Sequence, residues 1–163
     1  MPPRLAAVVL PVGLLGFVVA AAAAISFAVS PRDVATLAGI AGLLAASTLA
    51  ERYPVPLDGI DTGGVSLGFV FCTAAIVLYG WAAGAILLLV ATATIQLLEH
   101  RPVQRIAFNV AVLAIVALIA GLLIAPIDGD SVGALTARVV VAATADWLVN
   151  IVLISAAIAI STS

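Results

Sequence analysis

From Leu5 to Val29 the chain carries no charged residue. About 20 apolar residues suffice to cross a bilayer as a helix, so this run is long enough to span one. Five more apolar runs follow, over about 34–50, 65–79, 82–98, 106–125 and 135–160. A single domain of 163 residues has too little interior to bury all of them. Its surface is also poor in charge: 9% of the residues are charged and 65% hydrophobic, where a soluble domain carries about 25% charged residues. Most of the surface must therefore face lipid. The expected architecture is all-α and polytopic: one integral domain over 1–163, a compact bundle of six transmembrane helices.

The first run is longer than the core of a secretory signal, and further spans follow it, so it reads as a retained helix. Pro31 stops it, and the residues after Pro31 can cap the second helix. That helix ends at Glu51, Arg52, Tyr53 and Pro54, a helix breaker beside an aromatic suited to the membrane boundary. The stretch 54–64, PVPLDGIDTGG, is irregular, because prolines fix φ, glycines permit turns and Asp58 and Asp61 favour water. The third run is short, so part of this loop is expected to dip toward the membrane. Gly80 and Trp81 make a tight interfacial hairpin, and 99–105 forms the most charged connection.

With six spans both termini share one side. Arg4, Arg52, Arg101 and Arg105 then fall on that side, against Arg32 and Arg138 opposite, which favours cytoplasmic termini in a multi-pass protein of the cytoplasmic membrane. The chain has no lysine and no arginine cluster, so nucleic acid is not an expected partner.

Polar groups in hydrocarbon are costly and turn toward the bundle interior. The sixth helix holds Arg138, Asp146 and Asn150. Asp146 and Asn150 are spaced i,i+4 on one face, and Arg138 lies about 12 Å before Asp146 on roughly that face. Asn109 stands one turn after Arg105 on the fifth helix, and Thr92, Gln96 and Glu99 lie on nearby faces of the fourth. Asp146, Asn150, Asn109, Arg105, Gln96 and Arg138 are the candidate polar core. Two readings are open: a pocket for a small ligand, or interhelical hydrogen bonds that fix packing. On the first helix Gly16, Ala20, Ala24 and Ala28 recur every four residues, a small-residue ridge suited either to docking a second subunit or to packing within the chain.

No catalytic chemistry is apparent. One histidine, His100, and one cysteine, Cys72, do not make a metal site, and no cofactor motif is present. Asp61-Thr62-Gly63 matches the aspartic-protease triplet, but that chemistry needs two such carboxylates in one site. The chain is not expected to be an enzyme.

The order of features resembles a known family. Glu51-Arg52-Tyr53-Pro54 ends the second helix, Gly63-Gly64-Val65-Ser66 enters the third, Arg101, Arg105, Phe108 and Asn109 lead into the fifth, and Leu148, Val149, Asn150 and Leu153 sit in the sixth. Together these resemble the N-terminal multi-helix membrane sensor domains that precede HD-type phosphohydrolase or GGDEF output domains in bacterial cyclic-nucleotide signalling. The resemblance covers nearly the whole chain and matches Arg105, Asn109 and Asn150. Such sensors feed a cytoplasmic catalytic domain, so the sequence ending at Ser163 implies an output in a longer chain or in a partner. A second resemblance is to the substrate-binding subunits of energy-coupling-factor transporters, compact six-helix proteins that dock their membrane partner through small residues on the first helix.

The expectation is a sensory or ligand-binding membrane module coupled to a cytoplasmic output domain or partner. The alternatives are a substrate-binding subunit of a vitamin or metal-ion transporter and a structural subunit of a membrane complex.

Overall fold

The computed structural model describes residues 3–56, 64–65 and 67–161. Six helices follow in order: α1 Pro3–Val29, α2 Val34–Arg52, α3 Gly68–Tyr79, α4 Trp81–Leu98, α5 Val103–Ile124 and α6 Val132–Ser161. Two short strands precede α3: β1 Val55–Pro56 pairs antiparallel with β2 Gly64–Val65, placing Val55 opposite Val65. Residues 57–63, with Asp58, Asp61, Thr62 and Gly63, and Ser66 lie outside the described residues, and with them the middle of the loop expected to dip toward the membrane.

Five of the helices are long and apolar enough to cross a membrane. The exception is α3, whose 12 residues reach about 18 Å, short of a hydrocarbon core of about 30 Å. The protein is thus a helical bundle of membrane character. The expected start of the third helix at Val65 moves to Gly68, because Val65 is held in the strand pair with Val55.

Local chemistry sets the other ends. Asp33 caps α2, its carboxylate accepting from the Thr36 amide at 2.7 Å. Ser131 Oγ accepts from the Ala134 amide at 3.2 Å, which starts α6 at Val132, ahead of the expected Leu135. Pro102, lacking an amide proton, sits at the N-cap of α5, so α5 begins at Val103 rather than Ile106. Gly80, at φ 87°, forms both the C-cap of α3 and the N-cap of α4, a conformation that disfavours a side chain. At the far end of α4 the His100 amide donates to the Leu97 carbonyl and the Arg101 amide to the Gln96 carbonyl. This is a Schellman closure with His100 in the left-handed position, at φ 54°.

Two helices form the interior. Helix α4 packs against α1, α2, α3 and α5, and α5 against α1, α3, α4 and α6. Many of their buried residues are small: Ala83, Ala85, Ala114, Ala117 and Ala120 are fully buried. Without a hydrophobic driving force between helices in lipid, such residues gain by close van der Waals approach. The tightest approach is at Gly16, where any Cβ would collide with the backbone of Ala111, so α1 lies directly on α5. Outward-facing Leu10, Leu14, Phe17, Val18 and Ile25 on α1, and Val139, Val140 and Val152 on α6, remain exposed, as surfaces solvated by lipid must be.

Among the described residues five pairs of helices do not touch, and two of these gaps shape the bundle. Helices α1 and α2 flank α4 without meeting, and α4 and α6 are held apart while both pack on α3 and α5.

Candidate functional site

The space between α4 and α6 is a cleft of about 630 Å³. Its walls come from Glu51 at the end of α2, Phe69 at the start of α3, Thr92 and Gln96 in the last half of α4, Asn109 near the start of α5, and Asp146 and Asn150 on α6. Helices joined by short connections run alternately up and down, so these segments meet at one end of the bundle, the end that carries Arg52, Arg101 and Arg105.

The floor is buried. Leu88, Thr92 and Val112 line it, and Asp146 is only 8% exposed. The rim is open: Phe69, Trp147 and Ile151 are exposed hydrophobic residues on α3 and α6. The cleft therefore opens sideways, on a face that lies against the bilayer if the helices span it. Its lining is mostly apolar with a few convergent polar groups, the composition typical of small-molecule sites, and its volume falls within their usual range of about 300–1,000 Å³.

Inside the cleft the polar groups are unequally satisfied. Asn109 Nδ2 donates to Gln96 Oε1 at 3.1 Å, a bond between α5 and α4. That leaves Asn109 Oδ1 and the Gln96 amide nitrogen free to face a ligand. The Asp146 carboxylate has no hydrogen-bond or ion-pair partner among the described residues. A carboxylate so placed is expensive unless something compensates it.

Four of the six residues assigned to the polar core on sequence meet here: Asp146, Asn150, Asn109 and Gln96. The other two do not line the cleft. Arg138 Nε donates to the Ile127 carbonyl at 2.8 Å, closing the α5–α6 turn at the opposite end, and Arg105 is exposed on the first turn of α5. Glu51, expected at a helix boundary, contributes a second carboxyl group to the cleft. Phe69, Leu88, Val112 and Trp147 join the lining without any expectation from the sequence. The i+1 position of Trp147 beside Asp146 was the available clue, since an exposed rim aromatic next to a buried acid marks the edge of a recess.

The small-residue ridge divides. Gly16 is buried against Ala111 and Ala20 is half-buried, whereas Ala24 and Ala28 are exposed. The buried positions on the following turn are Val19 and Ala23. His100 is exposed in the α4–α5 connection and Cys72 is a buried free thiol. Among the described residues, no group of three or more potential metal ligands converges.

Fold and cleft together define the class: a helical bundle of membrane character with a polar-floored recess near one end. No family model, curated protein or solved structure matches the chain.

Proposed function

We propose that the protein is a membrane-embedded sensory module that binds a small molecule in the α4–α6 cleft and passes its occupancy to a cytoplasmic output domain or partner. The observation that carries this reading is the Asp146 carboxyl group, buried and unpartnered on the floor of a cleft large enough for a drug-sized molecule. An ionisable residue inside a spanning helix is by default a functional group, because hydrocarbon penalises it otherwise. The cleft end of the bundle carries Arg52, Arg101 and Arg105, and this arginine bias favours a cytoplasmic side for it and for both termini. Coupling requires only that the ligand bind one packing of α6 better than another, since differential affinity is what shifts a conformational equilibrium.

Native mass spectrometry of the protein released from mild detergent tests this reading. The wild type is expected to retain a small molecule that Asp146→Asn loses, while Asp33→Asn, at the opposite end of α2, keeps it. Wild-type protein bare under every release condition, with no thermal shift from any added compound, would remove the ligand from the proposal.

A transport reading has one supporting observation: Ala24 and Ala28 are left uncovered on α1, a smooth surface on which a second membrane subunit could pack. It calls for copurification with an ATPase-bearing partner. Substitution Ala24→Leu should then break that association and leave ligand retention intact; unchanged copurification counts against it.

A further inference from the structure

We infer that the cleft selects an organic cation, an ammonium group carried on an apolar body. The inference rests on the ligand-binding reading above and adds the charge and shape of the ligand.

Charge comes first. Two carboxyl groups, Asp146 and Glu51, line the cleft, and among the described residues no basic side chain does. Of the arginines at that end, Arg101 pairs with Glu99 at 3.0 Å, the Arg52 guanidinium lies 5.6 Å from the Tyr53 ring centroid, and Arg105 is exposed outside the cleft lining. An anionic ligand would add a third acid to a site with no counter-charge. With a neutral one Asp146 would have to take up a proton to escape the cost of an unpaired buried charge, whereas a cation lets it stay ionised as one half of an ion pair. An ammonium group supplies the missing partner and brings several N–H donors. Asn109 Oδ1, the Asn150 carbonyl and the Thr92 hydroxyl are acceptors on the same walls.

Shape decides between a bare metal ion and an organic cation. A metal ion needs a tight shell of oxygens, yet the space is about 630 Å³ and is bounded by Phe69, Leu88, Val112, Leu113, Trp147 and Ile151. Those side chains fit a hydrocarbon or aromatic body, and aromatic rings at the rim also favour cations. The sideways opening gives the route. An amphiphilic amine partitions into the bilayer and reaches the cleft past Trp147 and Phe69 without crossing the bundle.

Three isosteric probes separate charge from shape: phenethylamine, phenethyl alcohol and phenylacetate. Binding is read on the full chain in mild detergent micelles from the fluorescence of Trp147, with Trp81→Phe removing the second tryptophan. Phenethylamine is expected to give a saturable change, with the alcohol and the carboxylate each at least tenfold weaker. Asp146→Asn should weaken the amine about tenfold or more, about 1.4 kcal/mol, and leave the alcohol unchanged. Glu51→Gln, a milder change at the mouth, should weaken the amine without altering the melting temperature, which covers the case in which the Asp146 variant does not fold. Equal binding of alcohol and amine, or tighter binding of phenylacetate, overturns the cation while leaving a ligand site standing. Failure of all three probes, together with a bare protein in native mass spectrometry, overturns the site itself.

Discussion

Asn109 Nδ2 and Gln96 Oε1, 3.1 Å apart and 13 residues apart in sequence, form the one side-chain hydrogen bond between helices among the described residues. It ties the end of α4 to the start of α5 beside the cleft. Interhelical bonds of this kind in membranes average about 0.6 kcal/mol, because the unfolded chain also finds partners in the bilayer. A double-mutant cycle of Gln96→Ala and Asn109→Ala, read by unfolding in mild detergent, should return a coupling of about that size. A coupling indistinguishable from zero would mean that the two amides are held by the helices rather than by each other.

The contact of α1 with α5 is more sensitive. Because a Cβ at Gly16 meets the backbone of Ala111 rather than a flexible side chain, Gly16→Leu must push the helices apart. Overpacking of this sort costs about 1–3 kcal/mol. Ala24→Leu, on the exposed face, should stay within about 0.5 kcal/mol of wild type in the isolated protein. Equal destabilisation by both substitutions would place the α1 interface elsewhere.

His100 occupies a left-handed position, at φ 54°, that glycine adopts without strain. The Schellman bonds around it run through backbone atoms, so its side chain is not needed for the closure. His100→Gly is expected to raise stability by about 1 kcal/mol, the order of the left-handed penalty for a residue with a Cβ. A loss of stability in thermal or denaturant unfolding would show that the imidazole makes a contact of its own.

Asp33 gives the α1–α2 connection a pH dependence of defined sign. Hydrogen bonding to Thr36 holds its carboxyl group below the usual 3.8. A folded-state value below the unfolded one means that stability is present in full above the unfolded value and is lost as the pH falls through the folded one. The melting temperatures of wild type and Asp33→Ala should therefore differ by a constant amount near neutrality and converge as the pH drops below 3.8. A gap that persists in acid would assign the cap to something other than the ionised carboxylate.

Much of the bundle is readable from composition and run length, because a helix in lipid has to be long and apolar and little else is required of it. Where an element departs from its apolar run, a local bond overrides hydropathy. Val65 is as apolar as its neighbours but is claimed by Val55 across a strand pair, and the Ser131 hydroxyl starts α6 earlier than its apolar run suggests. The same logic divides the site. Asp146, Asn150, Asn109 and Gln96 stand out because polar residues are rare on these helices, and four rare residues on three helices had few places to converge. Arg105 and Arg138 stood out for the same reason, but a long side chain does not report where its head group lies; that of Arg138 reaches a loop carbonyl eleven residues back. Leu88 and Val112 could not be singled out at all in a chain that is 65% hydrophobic, since lining a recess and facing a neighbour call for the same side chains.

The separation of α4 from α6 gives the bundle a direction of easy deformation. Packed helices behave as nearly incompressible bodies, so α6 cannot advance on α1, α3 or α5 without displacing interlocked side chains. Toward α4 it meets open volume instead. Inward travel of α6 along that line meets less packed material than travel toward α1, α3 or α5, and whatever fills the recess would act as its stop.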